Sequence, residues 1–328
     1  MPVLTPLSTL STLDPWALGA SLYAPATRDD LVQLGTDKYP HLSSLIYCTE
    51  DAVREEDVPR ALANLTLALP DLPPIGTAST ALSGTGKART GPLRLIRARN
   101  PEVLAQLLTL DLRGISGFVL PKTHDGNLAS YMRLLNREEH AHLSVLLTLE
   151  TREALSEHRM ACLRDLIFQE SWQHRIACLR IGGNDLMHAL GVRRTPGRTL
   201  YEGPLERVIS MLIGVFKPYG FMLSSPVYEV FEDLTTLARE VQQDLEYGLS
   251  GKTIIHPVQL STVLNGYRVT EGDLQEAHAI LAEDAPAVFK MNGRMCEPAT
   301  HSRWAHDILI RAERYGTLPP LRHEALHF

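Results

Sequence analysis

Side chains able to bind metal ions and anions stand directly after short apolar runs of this sequence. Glu150 ends one such run, and Asp185 closely follows the next run along the chain. Carboxylate oxygens are the ligands that Mg²⁺ prefers, and two carboxylates leave positions for water and substrate oxygens. Arg97 stands near the end of an earlier run, and its planar guanidinium can bind a carboxylate through two parallel hydrogen bonds. These residues predict a metal site beside a binding group for an acid.

Further polar residues follow other apolar runs: Glu50, Asp51, Lys122, Ser224, Ser225 and His256. Taken singly, each such side chain is more often a helix cap or a salt-bridge partner than a catalytic group. Glu150 precedes Thr151, and Asp185 follows two glycines and Asn184, so both carboxylates stand where helices can begin. Their joint occurrence at the ends of apolar runs is what favours a shared site.

The elements that must position these residues are eight short runs of apolar or β-branched residues: 20–24, 44–49, 93–98, 117–121, 143–150, 176–182, 221–225 and 253–256. Continuous apolarity predicts parallel strands that are buried on both faces. Apolar residues recur at helical spacing in segments between them: 101–112, 152–169, 204–217 and 229–247. Eight strand–helix units predict an α/β fold, a (β/α)8 TIM barrel, with an open doubly wound sheet as the alternative. In a barrel, residues that follow the strands gather at one mouth.

The domain organisation follows from this pattern. Residues 1–19 are an N-terminal lead-in, and residues 20–265 form the barrel. A Gly-, Pro-, Ser- and Thr-rich stretch at 71–91 is predicted to be a flexible loop insertion. Residues 266–318, with helices at 271–283 and 298–315, form a C-terminal helical appendage, and 319–328 form a tail.

Composition limits the classes of protein. Of 328 residues, 44% are hydrophobic and 21% charged, which is typical of a globular chain. The net charge of −6 without a basic run argues against nucleic-acid or lipid partners. No apolar run reaches the roughly 18 residues of a membrane span, and the first residues do not form a signal peptide. Four scattered cysteines are typical of reduced thiols, so we expect a soluble, cytoplasmic protein.

One metal-binding motif is set aside. His323-Glu-Ala-Leu-His327 has the spacing of a zinc-peptidase motif. It stands one residue from the end of the sequence, where a packed helix and a shaped cleft are not expected.

Several segments together resemble the citrate lyase β-subunit/HpcH–HpaI aldolase superfamily of magnesium-dependent carbon–carbon lyases. They are Leu22-Tyr-Ala-Pro25, Glu50-Asp-Ala-Val53, Arg97 with Asn100, Leu120-Pro-Lys122, Leu149-Glu-Thr151, Gly182-Gly-Asn-Asp-Leu186 and Gly251-Lys-Thr-Ile-Ile-His-Pro-Val-Gln259. The last is the most specific, and the likeness spans residues 20–315. The chain is most similar to the divergent branch called carbon–carbon bond lyase of the TIM-barrel fold. That branch implies a stress-response gene context.

The resemblance implies roles for individual residues. Glu150 and Asp185 correspond to magnesium ligands, and Arg97 to the residue that binds the substrate carboxylate. It also implies a homo-oligomer, a trimer or a hexamer, whose C-terminal helices reach a neighbouring subunit. Glu297 stands near the position of an Asp that caps the adjoining active site in relatives, one residue closer to the following proline. Cys48 replaces an aspartate of the family motif.

The sequence therefore predicts a Mg²⁺-dependent lyase or aldolase for a small hydroxy- or oxo-acid, either free or attached as a thioester to a carrier such as coenzyme A or a carrier protein. Lys122, Ser224 and His256 would line the mouth, and Glu297 or, second, Glu50 would transfer the proton. The alternative is a catalytically weak barrel that serves as a binding or scaffold protein in a stress-response system. Cys48 and the altered Glu297 segment favour this alternative, whereas the retained acids and arginine argue against it.

Overall fold

Eight parallel strands form one sheet in the structure, a computed structural model that describes residues 13–75 and 91–318. The strands are β1 (Ala20–Pro25), β2 (Ser44–Cys48), β3 (Leu93–Arg97), β4 (Gly117–Leu120), β5 (Ser144–Leu149), β6 (Ile176–Ile181), β7 (Leu223–Ser224) and β8 (Lys252–Ile254). Each strand pairs with its neighbour in sequence, and β8 pairs with β1. A parallel bridge between Ser225 and Lys252 joins the remaining two edges. The predicted TIM barrel is confirmed, and the doubly wound alternative is wrong.

Helices follow every strand. They are α1 (Leu31–Gly35), α2 (Val58–Ala68), α3 (Pro101–Leu107), α4 (Leu128–Leu135), α5 (Glu157–Gln169), α6 (Gly183–Ala189), α7 (Leu205–Phe216), α8 (Leu234–Glu246) and α9 (Leu260–Gly266). Among the described residues, no helix is both long and apolar enough to cross a bilayer.

The barrel interior is filled by apolar side chains from successive strands. A buried cluster holds Leu13, Leu18, Ile46, Leu93, Leu95, Val119, Leu146, Ala177 and Cys178. Alternate residues of each strand face inward, so these apolar side chains occupy the central inward-facing positions of the strands. Polar inward-facing residues are left near the carboxyl ends of the strands, which we call the mouth.

Two element boundaries differ from the expectation for physical reasons. The predicted helix 152–169 is interrupted at Ser156, whose hydroxyl accepts a hydrogen bond from the Arg159 amide at 3.4 Å and caps α5. The predicted helix 229–247 begins only at Leu234, because the Asp233 carboxylate accepts from the Thr236 amide at 3.0 Å. At both places the side-chain cap, and not the apolar periodicity, determines the residue at which the helix begins.

Residues 264–318 form a second compact unit, and residues 13–75 with 91–263 form the first. The second unit contains α10 (Glu271–Ile280), α11 (Pro298–Tyr315) and an antiparallel hairpin of β9 (Phe289–Met291) and β10 (Arg294–Cys296). Its core is the cluster Val269, Ala277, Ile280, Cys296, Ala305 and Ile308. The sequence pattern indicated the two helices but not the hairpin. Residues 1–12, 76–90 and 319–328 lie outside the described residues, and with them most of the predicted loop insertion, the tail and the histidine motif.

Candidate active site

A cavity of about 440 Å³ opens at the mouth of the barrel. Its lining includes Tyr23, Asp51, Arg97, Glu150, Arg180 and Asp185. All of these residues belong to the first unit. The cavity therefore lies where a TIM barrel gathers the residues that follow its strands.

Three carboxylates converge at this cavity. Asp51 follows β2, Glu150 directly follows β5, and Asp185 lies in the first turn of α6. One oxygen from each lies within 4.8 Å of the others. The structure thus brings together the two predicted ligands, Glu150 and Asp185, and adds Asp51, which the sequence pattern had left without a role.

The backbone around Glu150 is shaped to hold its side chain. A Cβ atom at Gly182 would lie 2.5 Å from Glu150 Oε2, so only glycine leaves room for the carboxylate there. Lys122 has a left-handed backbone, with φ of 52°, and its amide donates to Glu150 Oε1 at 2.8 Å. Such strained backbone positions cluster at functional sites. Glu150 is therefore fixed by neighbouring strand ends and does not cap a helix.

Arg97 and Lys122 supply positive charge to the carboxylates. Arg97 Nη2 donates to Asp51 Oδ2 and to Glu150 Oε1, at 2.9 Å each, and lies 2.7 Å from Glu50 Oε2. Lys122 Nζ binds Glu50 and lies 2.9 Å from Asp51 Oδ1. One terminal nitrogen of Arg97 is thus occupied by protein carboxylates, while its buried Nε has no hydrogen-bond partner.

The pKa values of these groups show the electrostatic character of the site. Burial raises the pKa of Glu150 to about 7, and the neighbouring Asp185 charge adds to this although Arg97 opposes it. Burial also raises the pKa of Glu50. For Asp51, burial is outweighed by hydrogen bonding with Glu50 and by the Arg97 and Lys122 charges, so its pKa is lowered. The buried acids are poorly solvated and would gain from further positive charge.

The charge balance fits a divalent cation. Four carboxylates (Glu50, Asp51, Glu150 and Asp185) face three cations (Arg97, Lys122 and Arg180), which leaves one negative charge when all seven groups are ionised. An all-oxygen set of three carboxylates is typical of Mg²⁺, Ca²⁺ or Mn²⁺ sites.

Comparison with known proteins agrees with this geometry. Residues 12–317 match the family model described as "C-C_Bond_Lyase of the TIM-Barrel fold". The chain belongs to this family. The resemblance inferred from the sequence motifs is thereby confirmed.

Solved structures similar to this C–C bond lyase family member share its fold. Protein CitE from Mycobacterium tuberculosis, in complex with magnesium, acetoacetate and coenzyme A, has a TM-score of 0.63 and 21% identity, covering 90% of this chain and 99% of that one. The citrate lyase β subunit from the same organism, complexed with oxaloacetate and magnesium, has a TM-score of 0.55 and 20% identity, covering 78% and 100%.

A curated relative is the (3S)-malyl-CoA thioesterase of Cereibacter sphaeroides, 28% identical over 145 residues, which are 42% of this chain and 49% of that protein. This family member therefore spans about half the length of the curated relatives that it matches.

Two predicted site residues of this C–C bond lyase family member, Ser224 and His256, are not among the residues that line the cavity. Ser224 is fully buried on β7, in register with Arg180. The ring of His256 stacks on Phe231 at 5.2 Å, and its Nδ1 accepts from the Val258 amide at 3.2 Å. Neither Ser224 nor His256 lines the cavity. Their predicted substrate contacts stay predictions.

Glu297 belongs to the second unit, where it precedes α11. Its Oε2 accepts from the Thr300 hydroxyl at 3.1 Å, and its amide donates to His301 Nδ1. Its side chain does not cap the backbone of the helix. The role of Glu297 in proton transfer stays a prediction.

Proposed function

We propose that the protein is a Mg²⁺-dependent carbon–carbon lyase that acts on a small hydroxy- or oxo-acid, either free or as a coenzyme A thioester. The observation that carries this proposal is the convergence of Asp51, Glu150 and Asp185, whose oxygens lie within 4.8 Å of one another at the barrel mouth. Solved relatives with the same fold hold magnesium together with acetoacetate or oxaloacetate, which supports the substrate class.

The residues of the chain have separate tasks in such a reaction. Asp51, Glu150 and Asp185 would hold the cation, which when bound would act as a Lewis acid on a substrate oxygen. Arg97 and Lys122 position the carboxylates through the hydrogen bonds described above. In the direction of cleavage, a base takes the proton of the substrate hydroxyl, whose oxygen forms a carbonyl as the bond between the carbinol carbon and its neighbour breaks. The electron pair of that bond passes to the neighbouring carbon as an enolate, which is then protonated. Glu297, which the family resemblance assigns to the site of a neighbouring subunit, is the first candidate for this base, and Glu50 is the second.

Thioester hydrolysis is a second candidate function. It is favoured by the match to a malyl-CoA thioesterase over 145 residues. Hydrolysis would break the C–S bond instead of the C–C bond, at the same cation. A binding or scaffold role remains the third candidate, because Cys48, buried beside the acids, replaces a charged residue of the superfamily motif.

One substrate separates the three functions. With Mg²⁺ and malyl-CoA, we expect glyoxylate and acetyl-CoA, the products of C–C cleavage, and loss of both after chelation of the metal. Hydrolysis would instead release malate and free coenzyme A, which a thiol reagent detects. Neither pair of products, together with no calorimetric binding of Mg²⁺ or of 2-oxo acids, would favour the scaffold. Glu150→Gln serves as the matched inactive control.

The role that the family resemblance implies for Glu297 predicts complementation between subunits. If Glu297 of one chain completes the site of its neighbour, mixing the inactive variants Glu150→Gln and Glu297→Gln, followed by dissociation and reassembly, restores activity. Random mixing of shared sites in a ring returns about a quarter of the sites to the intact state. Native mass spectrometry confirms that the subunits have exchanged. Exchange without recovered activity would contradict a shared site.

A further inference from the structure

Arg180 is a buried charge without a carboxylate partner among the described residues. It lies on β6, is 2% exposed and lines the cavity. Its Nη2 donates to the Thr253 hydroxyl, whereas its Nη1 is buried without a hydrogen-bond partner. Arg97, at the same cavity, pairs with three acids. The two arginines are therefore in opposite electrostatic situations.

A guanidinium removed from water costs free energy unless an anion or hydrogen-bond acceptors replace the lost solvation. The Tyr23 ring compensates only in part, since its centre lies 5.6 Å from the Arg180 guanidinium carbon and 5.8 Å from that of Arg97. An unpaired donor at the wall of a cavity is suited to a ligand with negative charge.

A second unpartnered group lies beside Arg180. Thr148 on β5 is in register with Arg180, lines the same cavity and is 3% exposed, and its hydroxyl has no partner. Thr148 and Arg180 each stand two residues before a residue at the carboxylate cluster, Glu150 and Gly182 respectively. Because side chains two residues apart on a strand face the same way, this pair forms the next layer inward from the metal-binding acids.

We infer that Arg180 Nη1 and the Thr148 hydroxyl bind the second carboxyl group of the substrate, a carboxylate in a free acid and a thioester carbonyl in a coenzyme A ester, so that the acid unit of the substrate is dicarboxylic. This inference rests on the proposed function, which places the first acid group and its neighbouring oxygen at the cation. Arg180 forms no ion pair with Asp51, Glu150 or Asp185, whereas Arg97 pairs with two of them. The group that Arg180 binds is therefore separate from the group at the metal-binding acids.

The test compares two stable acids that differ by one carboxylate, malate and lactate, by calorimetry with Mg²⁺ present. Wild type is expected to bind malate at least tenfold more tightly than lactate. Arg180→Gln is expected to weaken malate binding about 10- to 100-fold and to leave lactate binding within twofold, because a charge-assisted bond to the second carboxylate is lost. Arg180→Lys should recover only part of the preference, since an ammonium lacks the planar fork.

Equal losses for malate and lactate, or no loss for either, would overturn the inference. Mg²⁺ affinity is expected to be unchanged in Arg180→Gln, because Arg180 does not contact the acids of the metal site. If wild type fails to bind Mg²⁺, the proposed function fails. Malate binding without metal still tests the role of Arg180, because malate binding should then be lost in Arg180→Gln. Wild type that binds no malate in either condition overturns the inference.

Thermal unfolding separates ligand binding from a structural role. Ligand-free Arg180→Gln is expected to melt no lower than wild type, because the substitution removes an uncompensated buried charge. Malate should raise the Tm of wild type and not that of the variant. A ligand-free variant that melts several degrees lower would show that Arg180 stabilises the barrel and is not held for a ligand.

Discussion

Glu150→Gln is expected to lower the affinity for Mg²⁺ by at least about 100-fold, because it removes one of three charged oxygen ligands from a poorly solvated site. The amide keeps the size of the side chain and one acceptor for the Lys122 amide and for Arg97, which now bind Glu150 Oε1. The fold should persist, since a neutral group at a position where burial raises the carboxyl pKa to about 7 carries no desolvation penalty for charge. Calorimetric titration with Mg²⁺ measures the change.

The matched control is Glu157→Gln, which removes an exposed carboxylate from the first turn of α5 without touching the cavity. We expect it to bind Mg²⁺ as wild type does. Unchanged circular dichroism in both variants assigns the loss to the site. If Glu150→Gln retained full Mg²⁺ affinity, the three carboxylates would not form the metal site and the proposed lyase chemistry would fail.

The fold was accessible from sequence because barrel strands are buried on both faces. Their continuous apolar runs place six of the eight strands almost to the residue, and the mouth follows from the residues after them. The two less accurate strands are β8, which is shifted towards the N-terminus of its predicted run, and β7. The run of β7 begins at Phe221, but the ring of that residue packs edge-on against Phe216 at 5.8 Å before the strand starts at Leu223.

The site could be predicted from the sequence only in part, because the position of a residue after a strand does not determine where its side chain points. Glu50 and Asp51 are adjacent, and the sequence pattern does not show that Asp51 lines the cavity while Glu50 binds Arg97 and Lys122. Arg97 was predicted to bind the substrate acid. Its ion pairs with three acids depend on the geometry of neighbouring strands, which a local sequence pattern does not show.

The partners of charged residues inside strands also could not be predicted from the sequence. Arg180 stands in the middle of an apolar run, and its charge gives no local indication of whether a partner faces it. The predicted run begins at residue 253, whereas Lys252 is the first residue of β8 and is fully buried. Its burial is possible because two acids of α8, Glu240 and Asp244, which precede it by 12 and 8 residues, lie within hydrogen-bond distance of its ammonium group.

Those acids form a buried ion cluster behind β8. Lys252 Nζ lies 3.0 Å from Glu240 Oε1 and 2.8 Å from Asp244 Oδ2. Glu240 also accepts from Arg194 Nη1 at 2.5 Å and from the Leu200 amide at 2.9 Å. The segment Gly251–Gln259, which carries part of the family resemblance, therefore has a structural role at Lys252, on the face of β8 opposite the cavity residue Thr253.

Glu240→Ala is expected to destabilise the protein by about 3 kcal/mol or more, because it leaves Lys252 and Arg194 buried with fewer compensating charges. Urea unfolding followed by circular dichroism measures the loss. The control Glu232→Gln changes an exposed carboxylate before α8 and should stay within about 0.5 kcal/mol of wild type.

The double variant Glu240→Gln with Lys252→Met distinguishes a buried charge penalty from lost packing. Removing the acid alone leaves an under-compensated ammonium, whereas removing both groups also removes the cost of burying that ammonium. We therefore expect Glu240→Gln/Lys252→Met to be less destabilised than the sum of its two single variants by at least about 1 kcal/mol. Strict additivity would mean that Glu240 and Lys252 do not interact energetically, and the cluster would then be a consequence of packing and not a source of stability.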